Sequence, residues 1–314
     1  MKAITLDEYG SPDDLRLVEF PEPKVAPGEA LVRIVAAGVN PVDWKLAAGQ
    51  LDPIIETVFP LIPGWDFAGV VEALGPDTGE FAVGDEVFGY ARKDWAQRGT
   101  YAELISAPAR TLAKKPRALS WEQAAGTPLA GLTALRSLKQ AGVGSGETVL
   151  IHAAAGGVGS LGVQIAVANG VRVIGTASER NHDFLRSLGA EPVAYGEGLA
   201  DRVRQLAPEG VDAALDFVGN GAVDVSQSLL KRRDRVVSIA DAEVEAKGGR
   251  LVWVRPDPVE LTELADLADA GKLTTHVDKV LPLADAADAW RLSQAGRTRG
   301  KIVLTVQSPA GPQD

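Results

Sequence analysis

The run His152-Ala153-Ala154-Ala155-Gly156-Gly157-Val158-Gly159 decides the fold. It follows a β-branched apolar stretch, Thr148–Ala153, and leads into a segment with helical spacing, Val158–Ala168. A glycine-rich turn between strand and helix is the setting in which the pattern G-x-G-x-x-G binds a dinucleotide. Here the three positions are Ala154, Gly156 and Gly159. Gly156 lets the backbone approach a pyrophosphate, and Gly159 lets the helix pack closely on the strand. The helix N-terminus offers free N–H groups and the positive end of its dipole to the phosphates. Ala154 departs from the pattern but is small enough for the tight turn. The competing reading is a glycine-rich turn with no ligand; the strand–turn–helix setting weighs against it.

Downstream, strand-like and helical segments alternate. Val171–Thr176, Pro192–Tyr195, Val211–Phe217 and Arg235–Ala240 read as strands. Asn181–Leu188, Leu199–Leu206 and Ala222–Leu230 read as helices between them. Such alternation is the signature of a doubly wound parallel sheet, the Rossmann fold. The end of the second strand selects the cofactor, because an acidic residue there holds the ribose hydroxyls of NAD. About 18 residues past Gly159 the chain reads Thr176-Ala177-Ser178-Glu179-Arg180, with no acid at the expected place. Ser178 can hydrogen-bond a 2′-phosphate and Arg180 can pair with it, which points to NADPH. Glu179, one residue late, keeps NAD open, and Arg180 alone can equally be a solvated charge.

Upstream, the first 120 residues are rich in strand signals broken by Gly and Pro: Met1–Leu6, Leu15–Phe20, Ala30–Ala37, Phe67–Leu74, Glu86–Tyr90 and Tyr101–Ser106. Their irregular spacing suggests a distorted β-barrel. Ser120-Trp121-Glu122-Gln123 reads as a capped helix start, followed by a helix over Leu129–Ala141. After Leu251–Val254, read as a strand, come a helix near Pro258–Ala270, a strand near His276–Leu281, a helix near Ala284–Gln294 and a strand near Lys301–Val306. These break the alternation and return to the first domain. The expected organisation is a barrel domain over 1–120, completed by about 257–314, and a dinucleotide domain over 121–256. The tail Ser308–Asp314 reads as disordered.

Composition narrows the function. The 314 residues carry a net charge of −10, which argues against a nucleic-acid groove. No apolar run of about 20 residues is present to span a membrane, and the early acids Asp7 and Glu8 are unlike a signal peptide. A cytoplasmic protein is the expectation. There is no cysteine, hence no disulfide and no thiolate metal ligand.

Further segments carry a family resemblance: Ala37-Gly38-Val39-Asn40-Pro41-Val42-Asp43-Trp44, Pro63-Gly64-Trp65-Asp66-Phe67-Ala68-Gly69-Val70-Val71, Gly84-Asp85-Glu86-Val87-Phe88-Gly89, Leu129-Ala130-Gly131-Leu132-Thr133-Ala134 and Arg299-Gly300-Lys301-Ile302-Val303-Leu304. Together, over about Met1 to Val306, the chain resembles the medium-chain dehydrogenase/reductase superfamily in its zinc-free quinone oxidoreductase branch. The resemblance implies a GroES-like barrel domain, a Rossmann domain and an active site in the cleft between them. Zinc alcohol dehydrogenases of this superfamily carry Cys where this chain has Asn40, and Gly-His-Glu where it has Gly64-Trp65-Asp66. His152, His182 and His276 have no ligand spacing and read as structural or surface histidines. No metal is expected.

Without a metal the hydride chemistry rests with the cofactor, and the protein orients the acceptor and holds its developing negative charge. Asn40 can donate its amide to a carbonyl oxygen or fix the nicotinamide ribose; a turn-capping role ahead of Pro41 is equally open. Asp43 and Lys45 can form a local ion pair or relay a proton, but solvent-facing charge is the simpler reading. Trp44 and Trp65 can wall a pocket for a planar acceptor or fill the core. Tyr90 can line the cleft or give a proton. By motif, the resemblance adds Ala155, Gly157 and Val158 in the turn, Thr133 near the nicotinamide or phosphate, and Tyr195 near the 2′-phosphate. It also adds Val218, Gly219, Ile239 and Ala240 after the fourth and fifth Rossmann strands, Val254 with Arg255 in the cleft, and Gly300 and Lys301 at the nicotinamide end. The expected function is NADPH-dependent hydride transfer to a quinone or an α,β-unsaturated carbonyl by a homodimer. The alternatives are a double-bond reductase of a biosynthetic pathway, a crystallin-like NADPH-binding protein with little turnover, and a zinc enzyme with unusual ligands.

Overall fold

The computed structural model describes residues 1–308. Its chain divides into two compact units. The first comprises Met1–Leu129, Arg255–Asp269 and the chain from Thr275 onward; the second comprises Ala130–Val254 and Ala270–Thr274.

The first unit opens with β1 (Lys2–Thr5), β2 (Arg16–Glu19) and the long β3 (Glu29–Val39). Next come α1 (Pro41–Ala47), β4 (Thr57–Ile62), β5 (Asp66–Leu74), β6 (Glu86–Tyr90), β7 (Ala96–Arg98), β8 (Leu104–Pro108) and β9 (Leu112–Lys114). The sequence gives no sign of α1, yet Pro41 suits its first turn because its missing N–H needs no partner there. The strand expected over Tyr101–Ser106 begins only at Leu104, because Thr100 and Tyr101 spend their N–H groups on the carbonyls of Gly64 and Pro63. After α2 (Trp121–Ala125), opened by the expected Ser120 capping box, α3 (Pro128–Ala141) leads into the second unit. The break expected at residue 120 falls ahead of α2, which packs on β3 and β5 in the first unit.

The second unit continues with β10 (Thr148–Ile151), α4 (Gly157–Ala168), β11 (Arg172–Ala177), α5 (His182–Ser187), β12 (Glu191–Ala194) and α6 (Leu199–Leu206). It ends with β13 (Ala213–Asp216), α7 (Ala222–Gln227), β14 (Val236–Ser238) and β15 (Arg250–Leu251). All six strands are parallel, in the order β12-β11-β10-β13-β14-β15. The strand read over Leu251–Val254 is the two-residue β15 instead. Leu150, Ile174, Val193, Val203, Ala214, Val223 and Val236 form part of a buried core in this unit.

The chain then returns through α8 (Pro258–Asp269), β16 (Val277–Pro282), α9 (Ala286–Gln294) and β17 (Lys301–Thr305). β16, β17, β3, β5, β6 and β9 lie side by side in that order, with β8 also paired to β3. Register shifts in β3 at Leu31/Val32 and Ile34/Ala36 are the bulges that curve a sheet toward a barrel. The largest fully buried side chains include Trp290, Tyr90, Tyr101, Phe67 and Phe88, all of the first unit. Ser308 holds the Arg33 guanidinium on its carbonyl at 3.1 Å; the rest of the tail expected to be disordered lies outside the described residues. Among the described residues no helix is long and apolar enough to cross a membrane.

Candidate functional site

In the second unit the glycine turn is built as its residue types dictate. Gly156 caps α4 in extended backbone, and the helix has neither a side-chain cap nor an acid in its first turn. Its N-terminal N–H groups therefore have no competing anion of their own. A Cβ on Gly159 would stand 2.3 Å from the Ala153 carbonyl oxygen, so only glycine permits this helix-to-strand approach. Ala155 is buried and Gly157 and Val158 open the helix. Beyond β11, the half-buried Ser178 caps a short 3-10 turn and Arg180 is exposed. No carboxylate ends β11, since Ala177 holds that place. An open helix terminus, a serine and an exposed guanidinium fit the pyrophosphate and 2′-phosphate of NADPH.

The other residues expected in this unit lie mostly at the carboxyl ends of its strands. Val218 and Gly219 follow β13, and Ile239 and Ala240 follow β14. Tyr195 follows β12 and is 64% exposed. Thr133 is buried on α3 and Val254 is buried at the end of the unit's first segment. His152 ends the strand run in full burial, which pushes its pKa down to about 4, and Nε2 meets Ser226 Oγ at 2.8 Å. It is a neutral structural histidine.

The first unit gathers Asn40, Asp43 and Lys301 into one buried polar cluster, with three partners that sequence reasoning did not single out: Asp66, Tyr101 and Trp290. Asn40 Nδ2 donates to Asp66 Oδ2 at 2.9 Å, and Lys301 Nζ donates to Asn40 Oδ1 and, at 3.0 Å, to the Val39 carbonyl. An ammonium on one side and a carboxylate on the other leave no ambiguity about which end of the amide is oxygen. Asp66 Oδ1 accepts the Leu129 N–H at 2.8 Å, and Lys301 stands 3.9 Å from Asp66 Oδ2. Burial raises the Asp66 carboxyl to about 6, against the opposing pull of the Lys301 charge and the Asn40 amide. Burial likewise lowers the Lys301 ammonium, with Asp66 and Asp43 working against it.

Asp43 corrects the reading of it as a solvent-facing charge: it is 2% exposed. Its Oδ2 accepts the Asn40 N–H at 2.8 Å and the Tyr101 hydroxyl at 2.9 Å. The first of these is half of a capping box for α1; the Asn40 amide itself is turned to Asp66 and Lys301. Asp43 Oδ1 is buried with no hydrogen-bond partner among the described residues. Burial pushes the Asp43 carboxyl up to about 7. Lys45, read as a solvent-facing charge with an ion pair to Asp43 as the alternative, is exposed and lies over the Trp44 ring. Trp290 Nε1 donates to the Tyr101 hydroxyl at 3.2 Å. Tyr90 is buried edge-on to Trp65, with ring centroids 5.9 Å apart. Gly300 is in left-handed backbone (φ +75°), where a Cβ would stand 2.2 Å from the His276 carbonyl oxygen.

Comparison with known proteins places these two constructions in one family. Residues 26–117 match the alcohol dehydrogenase GroES-like domain, and residues 188–304 match the family described as zinc-binding dehydrogenase. A chloroplast envelope quinone oxidoreductase homolog of Arabidopsis thaliana is 31% identical, over 97% of this chain and 98% of the relative. This chain belongs to the medium-chain dehydrogenase/reductase superfamily, in its zinc-free quinone oxidoreductase branch. The solved quinone oxidoreductase of Coxiella burnetii is 36% identical, with a TM-score of 0.87 over 98% of this chain and 99% of its own. An NADPH-dependent alkenal/one oxidoreductase of Arabidopsis thaliana is 32% identical, over 97% of this chain and 79% of the relative. Asn40 is locked between Lys301 and Asp66. Among the described residues no group of three His, Cys, Asp or Glu could hold a metal ion.

Proposed function

We propose that this protein is an NADPH-dependent oxidoreductase that delivers hydride to a quinone or an α,β-unsaturated carbonyl. The observation that carries the reading is the turn at Gly156: a helix terminus free of acid, pressed onto its strand at Gly159, beside a second strand that ends on Ala177 and is followed by Ser178. The relatives named for quinone and alkenal/one reduction support the acceptor class.

NADPH, when bound, supplies the hydride. The first turn of α4, with Ala155, Gly156, Gly157 and Val158, holds the pyrophosphate; Ser178, Arg180 and Tyr195 hold the 2′-phosphate. Thr133, Val218, Gly219, Ile239, Ala240 and Val254 complete the second unit's share of the cofactor site. Asn40 directs the remaining N–H of its amide at the oxygen on which negative charge grows, and Lys301, bound to the opposite end, draws electron density out of that amide. Asp43 and Tyr90 complete the acceptor side. The enzyme works as a cytoplasmic homodimer without nucleic-acid or membrane partners; the charge of −10 supports the exclusion of nucleic acid.

The test is a panel of quinones and enones with NADPH and NADH compared. Consumption of NADPH with members of either class, faster than of NADH, is the expected result. NADPH binding without turnover on the whole panel would favour the crystallin-like alternative.

A further inference from the structure

Two loops of the second unit are tied together by side chains to which nothing above gives a role. β13 ends on Asp216 and β14 on Ser238, both fully buried. Asp216 Oδ1 accepts the backbone N–H groups of Val218 at 2.9 Å and Gly219 at 2.8 Å. Asp216 Oδ2 accepts the Ser238 hydroxyl at 2.7 Å. Ser238 Oγ in turn accepts the N–H groups of Ala240 at 3.0 Å and Asp241 at 2.9 Å. The bonds run without a gap from loop to carboxylate to hydroxyl to loop. The two loops also touch, for a Cβ on Gly219 would stand 3.4 Å from that of Ala240. The far side of the first loop is fastened as well. Ser226 of α7 donates its hydroxyl to the Ala222 carbonyl at 2.8 Å, so the proton between it and His152 belongs to His152 Nε2.

The strand order says what these loops face. The glycine turn follows β10. On one side of it stands β11, which Ser178 follows; on the other stand β13 and β14. A dinucleotide lies across the carboxyl ends of such a sheet with its pyrophosphate at the central turn. With the adenosine half over β11, the nicotinamide half lies over β13 and β14. We propose that Asp216 and Ser238 are positioning residues that clasp Val218, Gly219, Ile239 and Ala240 into a preset floor for the nicotinamide half of NADPH. The inference rests on the NADPH reading above. Its physical sense is preorganisation: loops already held in place pay no ordering cost when the cofactor arrives. A buried carboxylate is expensive unless its oxygens are filled with donors, and here they accept the Val218 and Gly219 N–H groups and the Ser238 hydroxyl.

The experiment is calorimetric titration of the whole protein with NADPH and with 2′,5′-ADP, which has the phosphate-bearing adenosine half but no nicotinamide. Ser238→Ala should weaken NADPH about tenfold, the worth of about one hydrogen bond, and leave 2′,5′-ADP within about twofold. Ser238→Thr, which keeps the hydroxyl, should restore NADPH. Asp216→Asn should repeat the split, since an amide has one oxygen to serve both loops. Unchanged NADPH affinity in Ser238→Ala overturns the clasp, and so does equal weakening of both ligands, which would mean general loosening. A wild-type protein that binds no NADPH overturns both the clasp and the reading it rests on.

Discussion

Lys301 donates its ammonium to the side-chain oxygen of Asn40 across 261 residues of sequence, and thereby sets which end of that amide faces Asp66. Asn40 sits between β3 and α1, Asp66 opens β5 and Lys301 opens β17, so one ion and one amide join three strands of the first unit. The arrangement makes Lys301 a support for the candidate catalytic amide, with its charge spent inside the unit.

The first prediction concerns that charge. Lys301→Met leaves the Asp66 carboxylate buried beside an unsupported amide. Removing one partner of a buried ion pair costs about 3–5 kcal/mol, and urea unfolding should register a loss of that size. Lys301→Met combined with Asp66→Asn leaves no lone charge and should regain part of it. A single variant as stable as wild type would show that the pair contributes nothing.

Asn40→Ala tests the amide itself. Losing one donor to a developing oxyanion costs about 10²-fold in kcat, while NADPH, held by the second unit's turn, should bind within about twofold of wild type. Steady-state kinetics with a quinone, beside a fluorescence titration of NADPH, separate the two. If kcat holds while NADPH affinity drops, the amide serves the ribose and not the acceptor.

The Asp43 carboxyl gives the stability a pH dependence of definite sign. Folding raises it from 3.8 to about 7, so between these values the folded chain binds more protons than the unfolded chain. Stability from this group is therefore greatest below about pH 4 and falls as pH rises through 7. Asp43→Asn cannot ionise, so it should gain on wild type from pH 5 to pH 8 in paired urea unfolding curves. A difference that does not change with pH would mean that Asp43 stays ionised inside the cluster, with Lys301 outweighing its burial.

Cofactor choice should reside in Ser178 and Arg180. Changing both to Ala removes two donors to a phosphate, each worth about 1.5–3 kcal/mol for a charged hydrogen bond. The ratio of kcat/KM for NADPH over NADH should fall at least about tenfold, with NADH itself little affected. An unchanged ratio would assign the choice to other residues.

Parts of this protein were legible because they are local. The turn at Gly156 stands within eight residues, and each strand or helix of the parallel sheet declares itself by its own spacing. The absent acid after β11 is likewise a matter of one position. Helix α1 was not legible, since its seven residues are too few for a helical period to show. Asp43 was misread for a related reason: a charged residue with a second charge, Lys45, two places on looks solvated until a Tyr from another segment is seen to cover it.

The sequence by itself determined the sheet, the glycine turn and the lack of cysteine ligands, because these depend on residue type and short-range spacing. Only the tertiary structure decided that Lys301 meets Asn40, that Asp43 and Asp66 are buried, and that Asp216 and Ser238 join two loops. Such contacts form between strands far apart in the chain, and the chemistry of a carboxylate or an ammonium is set by what folding packs around it.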